Sequence, residues 1–294
     1  HLSGSRPLPT LHPLSLRDPR LFQILALSSI LIIGVALRAF EVSPLQYAAV
    51  LATALAVQWL GSFLNAMKFE AKSAIISSLS LTLLLRADTL WPLIAGAAIA
   101  IGSKFMFRFE GKHIFNPTNI AIVIMIIATD AAWTTPGQWG TAVWFAALIA
   151  GAGSFVTYRA ARLDVPLIFL GVYAGLVFAR ALWLGDPLAI PVLRLQNGAL
   201  ILFAFFMISD PKTTPDGARA RAFFAAATAV IAYVLQYHFF VTDGLFYALA
   251  GVSIVRPLIE RFDRARAYQW GDAPEELKPV FRFAKAQRLP APAE

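Results

Sequence analysis

Residues 21–40 read LFQILALSSILIIGVALRAF, a run in which Arg38 is the only charged side chain. An α-helix needs about 20 apolar residues to cross the roughly 30 Å hydrocarbon core of a bilayer. Similar runs recur as far as Ile259 with short gaps between them. The chain is 58% hydrophobic and 14% charged, whereas soluble domains are about 25% charged. These features predict an all-α, polytopic membrane bundle and argue against a soluble catalytic domain.

Hydropathy divides the apolar part of the chain into ten predicted membrane spans. We expect them to form one transmembrane domain over 21–260, preceded by a cytoplasmic N-terminal segment, 1–20, and followed by a cytoplasmic basic tail, 261–294. The tail has the composition to bind anionic lipid headgroups or a partner protein, or to lie solvated on the bundle. The spans lie near residues 21–40, 44–66, 73–86, 89–107, 116–132, 139–161, 164–184, 196–209, 219–237 and 241–260.

Lys and Arg residues test this count, because they collect on cytoplasmic loops. The N-terminus, the loops after even-numbered spans and the tail hold all of the 25 except Arg38, Arg86, Arg180 and Arg194. This pattern predicts the bacterial cytoplasmic membrane as the location, with both termini in the cytoplasm. Residues 1–20 lack the apolar core and cleavage site of a signal peptide. The first residue is His1 rather than Met, so we expect a short leader to precede it.

Two predicted spans are too short to cross a bilayer comfortably, 73–85 and 196–209. Each is the third span of a five-span half, the halves being about 21–132 and 139–260. Because five is odd, the halves must have opposite orientations. Short, interrupted helices at matching positions of inverted halves predict a binding site near the middle of the membrane. The alternative is two slightly short helices in a thin region of the bilayer.

Two sequences have the form of capped helix starts. The segment 116–119 reads NPTN, with Asn as a helix cap before a proline that suits the first helical turn. Asp243-Gly244 opens the last span in a similar way. Helix N-termini attract anions, so these starts could face a phosphate, a carboxylate or a reduced flavin. The alternative is ordinary capping.

Several other chemistries lack support in the sequence. The chain has no cysteine, which excludes disulfides, thiolate chemistry and cysteine-bound iron–sulfur clusters. His113 and His238 fall on opposite predicted faces, so one haem cannot join them. There is no metal-ligand spacing and no Ser-His-Asp arrangement. The net charge of +8 comes without basic runs interleaved with aromatic residues, so no nucleic-acid partner is expected.

Three sequence blocks carry a family resemblance. They are GSKFMFRFEGKHIFNPTN at 102–119, FMISDPKTTP at 206–215, and VTDG at 241–244 leading to RPLIE at 256–260. They resemble the flavin-carrying membrane proteins RnfD, from the Rnf electron-transport complex, and NqrB, from the sodium-pumping NADH:quinone reductase. Ten spans in two inverted halves is also the architecture that this resemblance implies.

The resemblance and the helix starts together select the candidate cofactor-binding residues. In the family, flavin mononucleotide is attached to a threonine of a Ser/Thr-Gly-Ala-Thr motif after span five. Here that loop, 130–138, reads DAAWTTPGQ and lacks the motif, so we expect a non-covalent flavin or a quinone rather than covalent flavin mononucleotide. The short loop is similar to that of stand-alone, UnbU-like members found beside enediyne-type gene clusters. The candidate residues are Lys104, Asn116, Pro117, Thr118, Asn119, Asp210, Pro211, Thr214, Asp243 and Gly244.

Three functions are open at this point. The resemblance favours a membrane electron-transfer subunit that is coupled to ion movement and works with other membrane or redox subunits. The small residues at 147–153 and the basic tail would also suit a structural subunit that anchors other proteins. Inverted halves with interrupted helices also suit a transporter or channel for a small solute.

Overall fold

A computed structural model describes residues 18–270 of the chain. Within this range the fold is mostly helical and contains two small antiparallel β-pairs. Most of the predicted cytoplasmic segments, 1–20 and 261–294, lies outside the described residues. The helices are α1 (Pro19–Arg38), α2 (Pro44–Leu64), α3 (Ala71–Leu84), α4 (Leu90–Met106), α5 (Pro117–Ala128), α6 (Val143–Arg159), α7 (Asp164–Leu184), α8 (Ala189–Leu195), α9 (Gly198–Leu202), α10 (Ala218–Tyr237) and α11 (Gly244–Phe262), with a π-helical turn (Phe203–Met207) directly after α9.

Among residues 18–270, four helices are long and apolar enough to cross a membrane: α1, α2, α7 and α10. A fifth crossing results if α8 and Gly198–Met207, which are bent by 50° at a short break, form one span. The helices α3, α4, α5 and α6 are apolar but shorter. The chain is therefore a mostly helical, multi-pass membrane protein. Length and composition support four or five crossings, and ten crossings remain a prediction.

Polar caps explain where several helices begin. Asp18 accepts a hydrogen bond from the backbone N–H of Arg20 at the start of α1, and Ser43 forms a reciprocal capping box with Gln46 at the start of α2. Asn116 caps α5, as predicted, and Pro117 follows at its first position. These caps satisfy N–H groups that have no partner within the helix.

The helices of each half pack mainly on one another. In the first half α4 contacts α2 and α5, and α1 contacts α3. In the second half α10 contacts α7 and α11, and α6 contacts α9. The halves meet where α1 packs on α6 and where α5 packs on α11.

Three local elements differ from the predicted spans. The predicted span 116–132 is wrong at its end, because α5 stops at Ala128 and β4 (Ala132–Thr134) pairs with β1 (Leu85–Ala87). The predicted span 139–161 begins too early, since a 3₁₀ turn over Pro136–Trp139 precedes α6. Helix α8 occupies a region predicted to be a loop.

A second β-pair joins α4 to α5. It consists of β2 (Arg108–Phe109) and β3 (Lys112–His113), paired antiparallel across Glu110 and Gly111. Both turn residues have positive φ angles, 48° and 78°, as a two-residue type I′ turn requires. This hairpin brings Lys112 and His113 back beside the end of α4.

Candidate functional site

A cavity of about 350 Å³, here called the polar cavity, is lined by α3, the end of α4 and the start of α5. Five of the ten candidate residues line it: Lys104, Asn116, Pro117, Thr118 and Asp210. Small-molecule sites usually enclose about 300–1,000 Å³. The polar cavity is therefore large enough for a small organic ligand.

Lys104 places a buried basic side chain in the cavity wall. It lies in the last turn of α4, where the helix dipole favours a cation. The residue is 4% exposed. The ammonium group donates hydrogen bonds to Ser73 Oγ at 2.8 Å and to Gln58 Oε1 at 3.4 Å. Both of these acceptors are neutral, so they orient the charge without cancelling it.

Asn116 connects two of the sequence blocks that carry the family resemblance. Its Oδ1 accepts a hydrogen bond from the backbone N–H of Asn119, which caps α5. Its Nδ2 donates to Met207 O at 3.2 Å and lies 3.4 Å from Asp210 Oδ2. One buried amide therefore ties the start of α5 to the end of the π-helical turn, and Asp210 lies beside this amide.

Thr118 and Asn119 have different surroundings. Thr118 lines the cavity, and its hydroxyl lies 3.5 Å from Ser77 O. Asn119 is fully buried, and its Nδ2 donates to Phe246 O of α11 at 3.1 Å. Asn119 thus links α5 to the first turn of α11 and is not among the residues that line the cavity.

Asp210 begins a tight turn that Thr214 closes. Asp210 Oδ1 accepts from Lys212 N at 3.0 Å, and Asp210 O accepts from the Thr214 hydroxyl at 3.0 Å. Thr214 is fully buried and also accepts from Arg162 Nε at 3.3 Å. Neither Pro211 nor Thr214 is among the residues that line the polar cavity. The turn places Asp210 in the cavity wall.

Asp243 lines a different cavity, of about 250 Å³, formed by α9, α10 and the start of α11, and Gly244 is not among the residues that line either cavity. Asp243 stands at the cap position of α11, but its side chain makes no capping hydrogen bond and instead accepts from the hydroxyl of Thr134. Asp243 therefore opens the last helix as its cap residue, as predicted, but its side chain does not supply the capping hydrogen bond. At Gly244, an added Cβ would lie 2.9 Å from Leu235 Cβ, so glycine permits the close contact of α10 with α11. The ten candidate residues therefore do not form one site.

The second half of the chain is similar in sequence to known proteins. Residues 131–269 match the family described as NQR2, RnfD, RnfE. Over that segment, which is slightly less than half of its length, the chain is similar to this family. Over 142 residues, 48% of the chain, it is 32% identical to the D component of the ion-translocating oxidoreductase complex from Escherichia coli O1:K1, and the match covers 38% of that protein. The corresponding protein of the K12 strain DH10B is 30% identical over the same length.

The chain differs from the family pattern at the loop where the resemblance implies covalent flavin. Thr134 lies in β4, and its hydroxyl is bonded to Asp243. The Thr135 hydroxyl is buried and has no hydrogen-bond partner among the described residues. Both residues line the second cavity rather than the polar cavity.

Residues that follow α11 cover part of the polar cavity, which the sequence did not indicate. Gln269 and Trp270 line it, and Arg20 stacks over the Trp270 ring at 4.8 Å. Lys212 Nζ holds this segment by donating to Tyr268 O at 3.0 Å. Arg20 and Trp270 belong to opposite ends of the sequence, and only their contact reveals them as part of the site.

Burial alters two titrating groups at the cavity. Burial lowers the pKa of His113 to about 3, and the positive charges of Lys104 and Arg108 act in the same direction. His113 Nδ1 lies 3.2 Å from Lys104 O, so the neutral ring donates Nδ1–H to this carbonyl. Burial raises the pKa of Asp210, although the backbone N–H of Lys212 and the charge of Lys104 oppose the shift. The cavity thus combines a neutral imidazole with a carboxyl that holds its proton more readily than usual.

Replacing Trp270 by alanine is expected to open the polar cavity to reagents in water. Because the chain has no cysteine, a single Ser80→Cys change in the cavity wall can be labelled selectively with a water-soluble maleimide. We expect W270A to raise the labelling rate at least several-fold, because the indole covers part of the cavity. Ser253→Cys, on the buried face of α11, serves as the control for general loosening. Equal acceleration at both positions would contradict a covering role for Trp270.

Proposed function

We propose that this chain is a membrane electron-transfer subunit that holds a non-covalent flavin or a quinone in the polar cavity. The observation that carries the proposal is the buried Lys104 side chain in a cavity that Asn116 and Asp210 also line. These residues come from two of the blocks that resemble flavin-carrying subunits. The relatives are named as subunits of an ion-translocating oxidoreductase complex. We extend the proposal to coupling with ion movement and to assembly with other redox subunits.

The residues of the polar cavity fit a planar redox cofactor. Phe105, Phe206 and Trp270 supply aromatic surfaces, while Lys104 and Thr118 supply polar groups. Ligand sites typically combine apolar walls with a few polar groups that fix orientation. A bound flavin would supply one- and two-electron chemistry, and a positive charge near its ring would tune its electronics. In this proposal Lys104 supplies that charge, and Trp270 with Arg20 shields the ring from water.

The packing of the two halves supports the proposed inverted repeat. The pairs α1–α3, α2–α4 and α4–α5 correspond in order to α6–α9, α7–α10 and α10–α11. Helix α3, with 14 residues, spans about 21 Å at 1.5 Å per residue, less than the roughly 30 Å hydrocarbon core. We propose that ten segments enter the cytoplasmic membrane as two inverted halves with both termini in the cytoplasm, and that two of these segments are interrupted.

The test is to purify the full chain from flavin-replete cells and to record its visible absorbance and fluorescence. We expect flavin to co-purify and to be released into the supernatant when the protein is denatured with acid. Lys104→Met is expected to lower the flavin content several-fold, whereas Arg266→Met, a change at an exposed position, leaves it unchanged. A colourless sample would contradict the flavin proposal, and a quinone extracted from that sample would then support the other cofactor. Flavin that stays with the denatured chain would contradict non-covalent binding.

A further inference from the structure

The polar cavity has an excess of positive charge. Seven of its lining side chains are ionisable acids or bases other than histidine. The two acidic ones are Glu70 and Asp210. The basic ones are Arg20, Lys68, Lys104, Arg108 and Lys212.

The acidic side chains do not neutralise Lys104. Glu70 is paired with Arg20, at 2.6 Å, and Arg20 is also paired with Asp18 at 2.9 Å. Asp210 is bonded to the backbone N–H of Lys212 and to the amide of Asn116. Within residues 18–270, no carboxylate oxygen lies within the 4.0 Å ion-pair distance of Lys104 Nζ.

The hydrogen bonds of Lys104 are also incomplete. An ammonium group has three donors, and Lys104 uses them on only two acceptors in the described part of the chain, Ser73 and Gln58. A buried charge is costly unless it is paired and hydrogen-bonded. A negatively charged acceptor that enters the cavity would supply both the opposite charge and the missing hydrogen bond.

We propose that the ligand of the polar cavity is anionic and that its phosphate monoester is bound by Lys104. The proposal rests on the cavity being the cofactor site proposed above. For flavins it predicts selection of flavin mononucleotide over riboflavin, which carries the same ring without the phosphate. Asp210 lies in the same wall and would repel an anion while ionised. Burial favours its neutral form, which can donate a hydrogen bond to phosphate instead.

The experiment measures binding to the full chain in detergent, in a phosphate-free buffer. Flavin mononucleotide and riboflavin are titrated separately and followed by flavin fluorescence, and inorganic phosphate is added as a competitor. We expect flavin mononucleotide to bind at least tenfold more tightly than riboflavin. We also expect this preference to shrink as salt is raised and phosphate to displace flavin mononucleotide. Salt dependence in the unmodified chain tests the charge without requiring a variant to fold.

Variants assign the preference to one residue. Lys104→Met should remove the preference for flavin mononucleotide, Lys104→Arg should keep it, and the exposed-site control Arg266→Met should not change it. A short-chain phosphatidate that displaces flavin mononucleotide, when phosphatidylcholine does not, would identify lipid as a second source of the same phosphate chemistry.

The outcomes separate this inference from the proposed function. Equal binding of both flavins, with no effect of salt or of Lys104→Met, would overturn the inference and leave the redox function standing. Binding of inorganic phosphate without binding of either flavin would support the anion site and count against a flavin function. Binding of none of these probes would overturn the anion site.

Discussion

Replacing Lys112 by methionine is expected to lower the free energy of unfolding by about 3–5 kcal/mol, the usual cost of breaking a buried ion pair by removing one partner. The Lys112 ammonium donates to Thr214 O at 2.8 Å, to Asp216 Oδ2 at 2.9 Å and to Glu260 Oε1 at 2.8 Å. Its side chain is 11% exposed and that of Asp216 is 10% exposed. Methionine fills a similar volume but removes the closest cationic partner of two carboxylates and the hydrogen-bond donor of one carbonyl.

The remaining contacts do not replace this donor. Asp216 keeps Arg162 at 3.4 Å, and Glu260 keeps Arg256 at 3.3 Å. Both distances are longer than those to Lys112. Thermal or denaturant unfolding in detergent measures the effect, and Arg266→Met serves as the matched loss of an exposed cation. A change in K112M no larger than in that control would contradict the role given to Lys112.

A second variant tests the cause of the instability. If uncompensated charge is responsible, Lys112→Met combined with Glu260→Gln should be more stable than the sum of the single changes predicts. Residues that share one ion-pair network are usually coupled by about 0.5–3 kcal/mol. Strict additivity would instead indicate that lost packing around Lys112 dominates.

Lys112 also shows why a structural ion cluster bears on the site. It holds Thr214, the last residue of the turn that begins at Asp210, and the nearby Asp216 against α11. The carboxyl of Asp210 lies in the wall of the polar cavity. Weakening the cluster should therefore loosen the cavity wall as well as the fold.

Hydropathy predicted the positions of most helices because apolar runs reflect burial in lipid or protein, which is a local property of the sequence. It could not predict the pairing of β1 with β4, since Arg86 and Trp133 are far apart in the chain. It also missed α8, where Pro191 and Arg194 interrupt a short apolar stretch. Elements that depend on distant partners, or that are shorter than a span, leave weak signals in composition.

The site was only partly predictable for a related reason. The start of α5 was recognised because Asn116 and Pro117 form a local capping signal. Asp243 has a similar local context, yet its side chain turns to Thr134, and the sequence does not show which cavity a helix start faces. Gln58 and Trp270 enter the polar cavity from distant elements, so neither residue has a neighbouring motif that reveals its role.

Replacing Asn116 by alanine is expected to be the most damaging change at the cavity itself. Loss of a helix cap costs about 0.5–2 kcal/mol. Losing the hydrogen bond to the buried Met207 carbonyl adds about 0.5–1.5 kcal/mol, because that carbonyl keeps only the longer contact with Asp210 N at 3.4 Å. We expect the unfolding midpoint to fall accordingly, and ligand binding to weaken, because the start of α5 is no longer tied to Asp210.

Asn116→Ser separates the two contributions, since serine retains the capping oxygen but is too short to reach Met207 O. It should recover the capping part of the stability and remain defective in ligand binding. Asn65→Ala, which removes a hydrogen bond from an exposed asparagine to Gly61 O, gives the baseline for losing an amide that has no contact across the fold. If N116S bound ligand as well as the unmodified chain, the link from Asn116 to Met207 and Asp210 would be unnecessary for the site. We therefore expect N65A to be the most stable of the three variants, N116S to be less stable and N116A to be the least stable. Only the two Asn116 variants should be impaired in ligand binding.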